Sequence, residues 1–142
     1  MTIPLIKPLY TARATVTGGR AGHAVSDDGI LDVQLQPPKD MGGPGGATNP
    51  EQLFAAGYGA CFQSALAGVG RRQNVDTSDS IVEADVTLGT IHGGGYGLAV
   101  TLKVSIPGVD AATAQALTAA AHEVCPYSVA TRGNVEVTLE TV

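Results

Sequence analysis

The stretch "SIVEADVTLGTIHGGGYGLAVTLKVSI" limits what this chain can fold into more than any other. Val82, Ala84, Val86 and Leu88 alternate with Glu83, Asp85 and Thr87, and after a glycine-rich break Tyr96, Leu98, Val100, Leu102, Val104 and Ile106 keep the same period of two. Side chains on a strand point to opposite faces in turn, so both segments are predicted to be strands with one face inward. "GTIHGGG" between them suits a tight reversal and makes the pair a hairpin. Further alternation predicts strands in "YTARATV", with Tyr10, Ala12, Ala14 and Val16 on one face, in "ILDVQLQ", with Leu31, Val33 and Leu35, and in "NVEVTLE", with Val135, Val137 and Leu139. "HAVS", just before "DDG", is a shorter candidate.

Two helices are predicted between the strands. The first opens at "TNPEQLF": Asn49 is a good N-cap, Pro50 takes the first helical position, and Gln52 completes a capping box. It continues through "AAGYGACFQSALAGVGRR". The second is capped by Asp110, places Ala114, Leu117, Ala121 and Val124 on one face, and stops at Pro126, so that Cys125 falls at a helix end. The connection "PPKDMGGPGGATNP" is too rich in Pro and Gly for regular structure, and it lacks the G-K-[ST] ending of a phosphate loop. With no internal repeat or linker, residues 1–142 read as one α+β domain with largely antiparallel strands.

Several function classes are disfavoured. The chain carries 8 Lys and Arg against 13 Asp and Glu, for a net charge of −5, with no basic cluster beyond Arg71 and Arg72, so a nucleic-acid surface is not expected. Leu53 to Gly70 is uncharged and close to the roughly 18 residues a membrane span needs, but its Ala and Gly content with Gln63 and Ser64 inside predicts a buried soluble helix. "MTIPLIKPLYTARATV" does not resemble a signal peptide, and the expected compartment is the cytoplasm. His23, His92 and His122 form no ligand spacing, so a metal is not expected.

Chemistry then turns on two cysteines, Cys61 inside the first helix and Cys125 after the second. Four readings are open: buried spacers, a structural disulfide, a metal site, and a redox pair. A reducing compartment disfavours the disulfide, and "HEVCP" lacks the second histidine of H-E-x-x-H. A redox pair requires a thiolate, and hence a cation or helix N-terminus beside the reacting sulfur. Cys61 lies roughly 18 Å along its helix from the cap, beyond the reach of that helix dipole. A cationic side chain is required instead. Lys7, Arg13, Arg20, Lys39, Arg71, Arg72, Lys103 and Arg132 are the candidates. Arg13 and Lys103 fall on polar strand faces, and Arg71 and Arg72 lie about 15 Å farther down the helix. Among Arg20, Lys39 and Arg132, Arg20 sits in "TGGRAGH", where flanking glycines let the backbone aim a guanidinium inward.

"GGRAGHAVSDDGILDVQL", "PPKDMGGPGGATNPEQLFAAGYGACFQSAL" and "AHEVCPYSVATRGNVEVTL" together resemble the organic hydroperoxide resistance proteins, a branch of the OsmC-like superfamily, over nearly the whole chain. The resemblance implies an OsmC-like fold, antiparallel sheets wrapped around central helices in an intertwined homodimer. It implies that Cys61 is the peroxidatic thiol and Cys125 the resolving thiol. Arg20 would stabilise the Cys61 thiolate and polarise the peroxide, and Glu51 would hold Arg20 by a bidentate ion pair. Glu51 and Cys61 are about 15 Å apart on a continuous helix, too far for one arginine to bridge easily, and a second subunit packed antiparallel would close the gap.

The implied activity is thiol-dependent reduction of lipid or alkyl hydroperoxides to alcohols, through a Cys61 sulfenic acid and a Cys61–Cys125 disulfide. A dihydrolipoyl-type dithiol, dihydrolipoamide or a lipoylated protein, would reduce that disulfide. The thiol chemistry that the resemblance implies requires no metal, haem or flavin, so no cofactor is expected. Leu53, Phe54, Phe62 and Tyr127 are candidates to line an apolar substrate pocket. Two rivals remain at this point: the osmotically induced peroxidase branch of the same superfamily, and a non-enzymatic module binding fatty acyl or aromatic ligands.

Overall fold

In the computed structural model, which describes residues 2–142, the chain divides at Pro50 into two units. The first contains strands β1 (Ala14–Thr17), β2 (His23–Ser26) and β3 (Asp32–Gln34), joined antiparallel in that order. "HAVS" is therefore the central strand of its sheet, with Val16 opposite Ala24 and Ala24 opposite Val33. β1 is shorter than the alternation from Tyr10 suggested. Its partner β2 ends at Ser26, opposite Ala14, and Ser26 and Asp28 turn the chain there, with the Ile30 N–H donating to the Asp28 carboxylate at 3.0 Å. One bond, Asp27 N–H to the Arg13 carbonyl at 3.0 Å, extends the pairing. Tyr10 and Ala12 alternate with no strand beside them.

The second unit opens with α1 (Pro50–Arg72), starting where Asn49 and Pro50 predicted. β4 (Ile81–Thr90) and β5 (Tyr96–Ser105) form the expected hairpin, in register from Ile81–Ser105 to Thr90–Tyr96. α2 (Ala111–Val124) follows Asp110, whose carboxylate accepts the Thr113 N–H at 2.7 Å. A short α3 (Pro126–Thr131) and β6 (Glu136–Thr141) complete the unit. β6 pairs with β5 in parallel, so this sheet is mixed. The helices between the two strands carry the chain back before β6 begins, and such a crossover returns a strand in the same direction.

α1 is long and apolar enough to cross a membrane by length and composition, with a mean hydropathy of 1.2 over its most apolar window. Its buried residues Tyr58, Phe62, Leu66 and Val69 instead share one cluster with Val100, Leu102 and Val104 of β5 and Leu117 and Ala121 of α2. Cys125 closes that cluster. Val124, expected on the inner face of α2, is half exposed, because the buried stripe runs Ala114, Leu117, Thr118, Ala121 and then Cys125. The four-residue step from Ala121 brings Cys125 inward and leaves Val124 outside.

Candidate functional site

The two thiols meet inside the second unit. Cys61, halfway along α1, is partly buried, and Cys125 is completely buried. Their sulfurs are 3.6 Å apart with the Cys125 thiol donating, and both cysteines are free. A disulfide needs about 2.05 Å between sulfurs, so only a small closing movement separates this geometry from the one a two-electron oxidant would need to join the sulfurs.

Local sequence explains why Cys125 sits there. It is at once the C-cap of α2 and the N-cap of α3, a single extended residue (φ −61°, ψ 124°) between two helices. Pro126 disfavours the helical conformation for the residue before it, which favours the corner at Cys125. Hydrogen bonds pin that corner from both sides, Cys125 N–H to the Ala121 carbonyl at 2.8 Å and Val129 N–H to the Cys125 carbonyl at 2.9 Å.

Burial pushes the Cys61 thiol above its ordinary pKa. A backbone N–H bond from Tyr127, in the first turn of α3, pulls the other way, and the Cys125 thiol adds to the rise. The apolar seam thus favours the neutral thiol, and reaction as a thiolate calls for a cation.

Three aromatic rings from α1 and α3 pack against one another. Phe54 packs edge-on against Tyr58 and Tyr127 at centroid distances of 6.0 Å each, and Tyr58 and Tyr127 are 5.6 Å apart. Gly57 makes this possible, since a Cβ there would lie 2.9 Å from the Tyr127 hydroxyl. Of the residues expected to meet substrate, Phe54 and Leu53 are half-buried on α1, Tyr127 is exposed on α3, and Phe62 is fully buried in the core.

Tyr58, which sequence patterning alone did not single out, is fully buried, and its hydroxyl lies 2.8 Å from the Ser128 hydroxyl and 3.1 Å from the Thr131 hydroxyl. His122 Nδ1 is 2.8 Å from the same Ser128 oxygen. Burial, with the Arg132 guanidinium adding to it, holds His122 below the ordinary histidine pKa.

Glu51 lies in the first turn of α1, half-buried, on the same unbroken helix as Cys61. Arg20 belongs to the first unit, in a 3-10 turn at Gly19–Ala21. That turn depends on its glycines. Gly18 has φ +74°, and a Cβ on Gly22 would collide with the Thr17 carbonyl.

An α+β unit that holds two free thiols between a core helix and a helix corner defines a narrow class, and known proteins identify it. The family model for OsmC-like proteins matches residues 43–140. An organic hydroperoxide resistance protein of Xanthomonas axonopodis pv. citri is 51% identical over 94% of each chain. The organic hydroperoxide resistance protein OhrB of Bacillus subtilis aligns structurally with a TM-score of 0.88 and 50% identity, covering 95% of this chain and 100% of its own. One from Legionella pneumophila gives 0.90 and 49%, covering 95% and 98%. The chain belongs to the OsmC-like family, and within it to the organic hydroperoxide resistance proteins. An osmotic stress protein of Psychrobacter arcticus, at 16% identity and a TM-score of 0.69, over 96% of this chain and 98% of its own, shares the fold alone.

Proposed function

We propose that this protein is a cysteine peroxidase that reduces organic hydroperoxides to alcohols in defence against oxidative stress. The observation that carries the reading is the 3.6 Å approach of a partly buried thiol to a fully buried one, in a chain half identical to organic hydroperoxide resistance proteins. The Cys61 thiolate attacks the terminal oxygen of R–O–O–H, the O–O bond breaks, and the alkoxide leaves with a proton as the alcohol. Cys61 is left as a sulfenic acid. Cys125 attacks the oxidised sulfur, the S–S bond forms, and water departs with the thiol proton. An external dithiol of the dihydrolipoyl type reduces the disulfide by two thiol exchanges and is itself oxidised to a cyclic disulfide.

Arg20 supplies the cation that the raised Cys61 pKa calls for, and Glu51 holds its guanidinium. Leu53, Phe54 and Tyr127 meet the alkyl group, which favours lipid and alkyl hydroperoxides over hydrogen peroxide. Phe62, completely enclosed by the core, supports that surface from behind. A homodimer shares these sites. In support, Ile3, Leu5, Ile6, Leu9 and Tyr10 of the first unit are strongly exposed, a surface a second copy would cover. The two units then act as one domain over residues 1–142, completed by the partner copy. Free thiols at this distance fit the reducing cytoplasm.

Steady-state consumption of tert-butyl hydroperoxide and of hydrogen peroxide, with dihydrolipoamide as reductant, tests the reading. Turnover biased to the organic substrate and abolished by Cys61→Ser is expected. Equal turnover by Cys61→Ser would remove the assignment.

A further inference from the structure

The contact between α1 and the α2–α3 corner is double. Tyr58 and Cys61 are one turn apart on α1, and Cys125 and Ser128 are one turn apart at the corner. They pair crosswise, Cys61 with Cys125 through sulfur and Tyr58 with Ser128 through hydroxyls at 2.8 Å. The hydroxyl pair is completely buried. Ser128 also reaches back across the corner to His122 Nδ1 at 2.8 Å, so one side chain ties α3 to both α1 and the last turn of α2.

The donors and acceptors of this network have one consistent arrangement. Thr131 donates its hydroxyl hydrogen to the Ser128 carbonyl at 3.2 Å. Its oxygen must then accept from Tyr58. Tyr58 has given its only hydrogen, so its oxygen accepts from Ser128, and Ser128 in turn accepts from His122 Nδ1–H. The depressed pKa of His122 agrees with a neutral ring carrying that hydrogen. The Arg132 guanidinium donates to the His122 carbonyl at 2.5 Å and secures the histidine's backbone. The hydroxyls of Tyr58, Ser128 and Thr131 are all satisfied, and a fully satisfied buried network fixes a unique geometry.

We propose that Tyr58, Ser128 and His122 are positioning residues for the resolving step, a hydroxyl clamp that keeps Cys125 within reach of Cys61 while Cys61 is a sulfenic acid. The proposal rests on the peroxidase reading above. Two reactions compete for that sulfenic acid. Cys125–SH condenses with it to the disulfide and water, or a second R–O–O–H transfers an oxygen to give the sulfinic acid and a second alcohol. Holding Cys125 at the corner favours the first, because the attack is intramolecular and already oriented. Loosening the corner leaves the first oxidation alone and shifts the competition.

Reduced wild type, Tyr58→Phe and Ser128→Ala, mixed with tert-butyl hydroperoxide, acid-quenched over time and read by intact mass and free-thiol count, test this. The expected result is loss of the first equivalent of hydroperoxide within threefold of wild type in Tyr58→Phe, with disulfide closure at least tenfold slower. At tenfold excess hydroperoxide the variant should gain two oxygens on Cys61 where wild type closes its disulfide, and Ser128→Thr, which keeps the hydroxyl, should close faster than Ser128→Ala. Closure at the wild-type rate in Tyr58→Phe, or equal slowing of both steps, would overturn the clamp. Wild type that itself forms no Cys61–Cys125 disulfide would instead remove the peroxidase reading on which the clamp stands.

Discussion

The residues before Glu51 and those after it draw on the same aliphatic side chains and bury them very differently. In the second unit Tyr58, Phe62, Leu66, Leu102 and Leu117 reach 0% exposure. In the first, Leu5 is 81%, Leu9 87% and Tyr10 84% exposed, and among the described residues Ala24 and Leu35 are its buried apolar ones. A strand sheet with two buried apolar side chains does not hold itself together, whereas a helix pair closed over a central strand does. The sulfurs therefore sit in the part of the chain that holds the buried core, and Arg20 sits in the part that leaves most of its apolar side chains exposed. If a second copy provides the cover, the cation proposed above for the Cys61 thiolate would be in place only when the protein has assembled.

Truncation offers the sharpest test of that contrast. Phe62→Ala removes a completely buried ring and is expected to cost about 3–5 kcal/mol in chemical denaturation. Leu5→Ala in an uncovered segment would stay within about 0.5 kcal/mol. If a second copy covers Leu5, the loss grows and depends on protein concentration, because association adds to apparent stability by mass action. Equilibrium sedimentation alongside the denaturation curves separates these outcomes, and a concentration-independent loss at Leu5 would break the comparison.

Acid should erode the advantage of the second unit by a smaller amount. His122 has a folded pKa below its ordinary 6.5, from burial first and the Arg132 guanidinium second, with Glu123 opposing. The folded state thus binds its proton more weakly than the unfolded chain. This contribution to stability is present in full above the unfolded pKa and is lost as pH falls through the folded one. The denaturation midpoint is expected to fall as pH drops below 6.5, above the range of the depressed carboxyls of Asp28, Asp76 and Asp110, and to fall less in His122→Gln. An identical slope in that variant would assign the loss to another group.

The second unit was also the part most legible from sequence. Period-two alternation marked β4 and β5, a cap and proline marked the start of α1, and Asp110 marked α2, since each signal is local. The parallel return of β6 was not visible, because alternation is the same in either direction. Tyr58, Ser128 and His122 carry no periodic signal and meet only after α1 and the α2–α3 corner pack. The proximity of Cys61 and Cys125 came from resemblance to a family, as nothing in their separation requires it. In the first unit the alternation at Tyr10 and Ala12 promised a buried face that the single chain does not provide.

A last effect, about a quarter of that at Phe62, concerns two glycines of α1 and again reports on cover. Alanine in place of glycine favours a helix interior by up to about 1 kcal/mol. At Gly59 the added methyl would meet only the Ala84 Cβ and the Val82 carbonyl, each at 3.9 Å, so Gly59→Ala should stabilise a lone chain by roughly that amount. A second copy of α1 laid across this small-residue face would fill the same space, and the gain would disappear or change sign as the protein associates. Gly57→Ala serves as the internal control. Its methyl would press on the Tyr127 hydroxyl at 2.9 Å within the chain, so its helix gain is offset whether or not a second copy is present. Melting both variants across a wide range of protein concentration gives the answer. A Gly59→Ala gain that shrinks with concentration while Gly57→Ala stays level places a partner on α1, and a constant gain shows that no second copy covers Gly59.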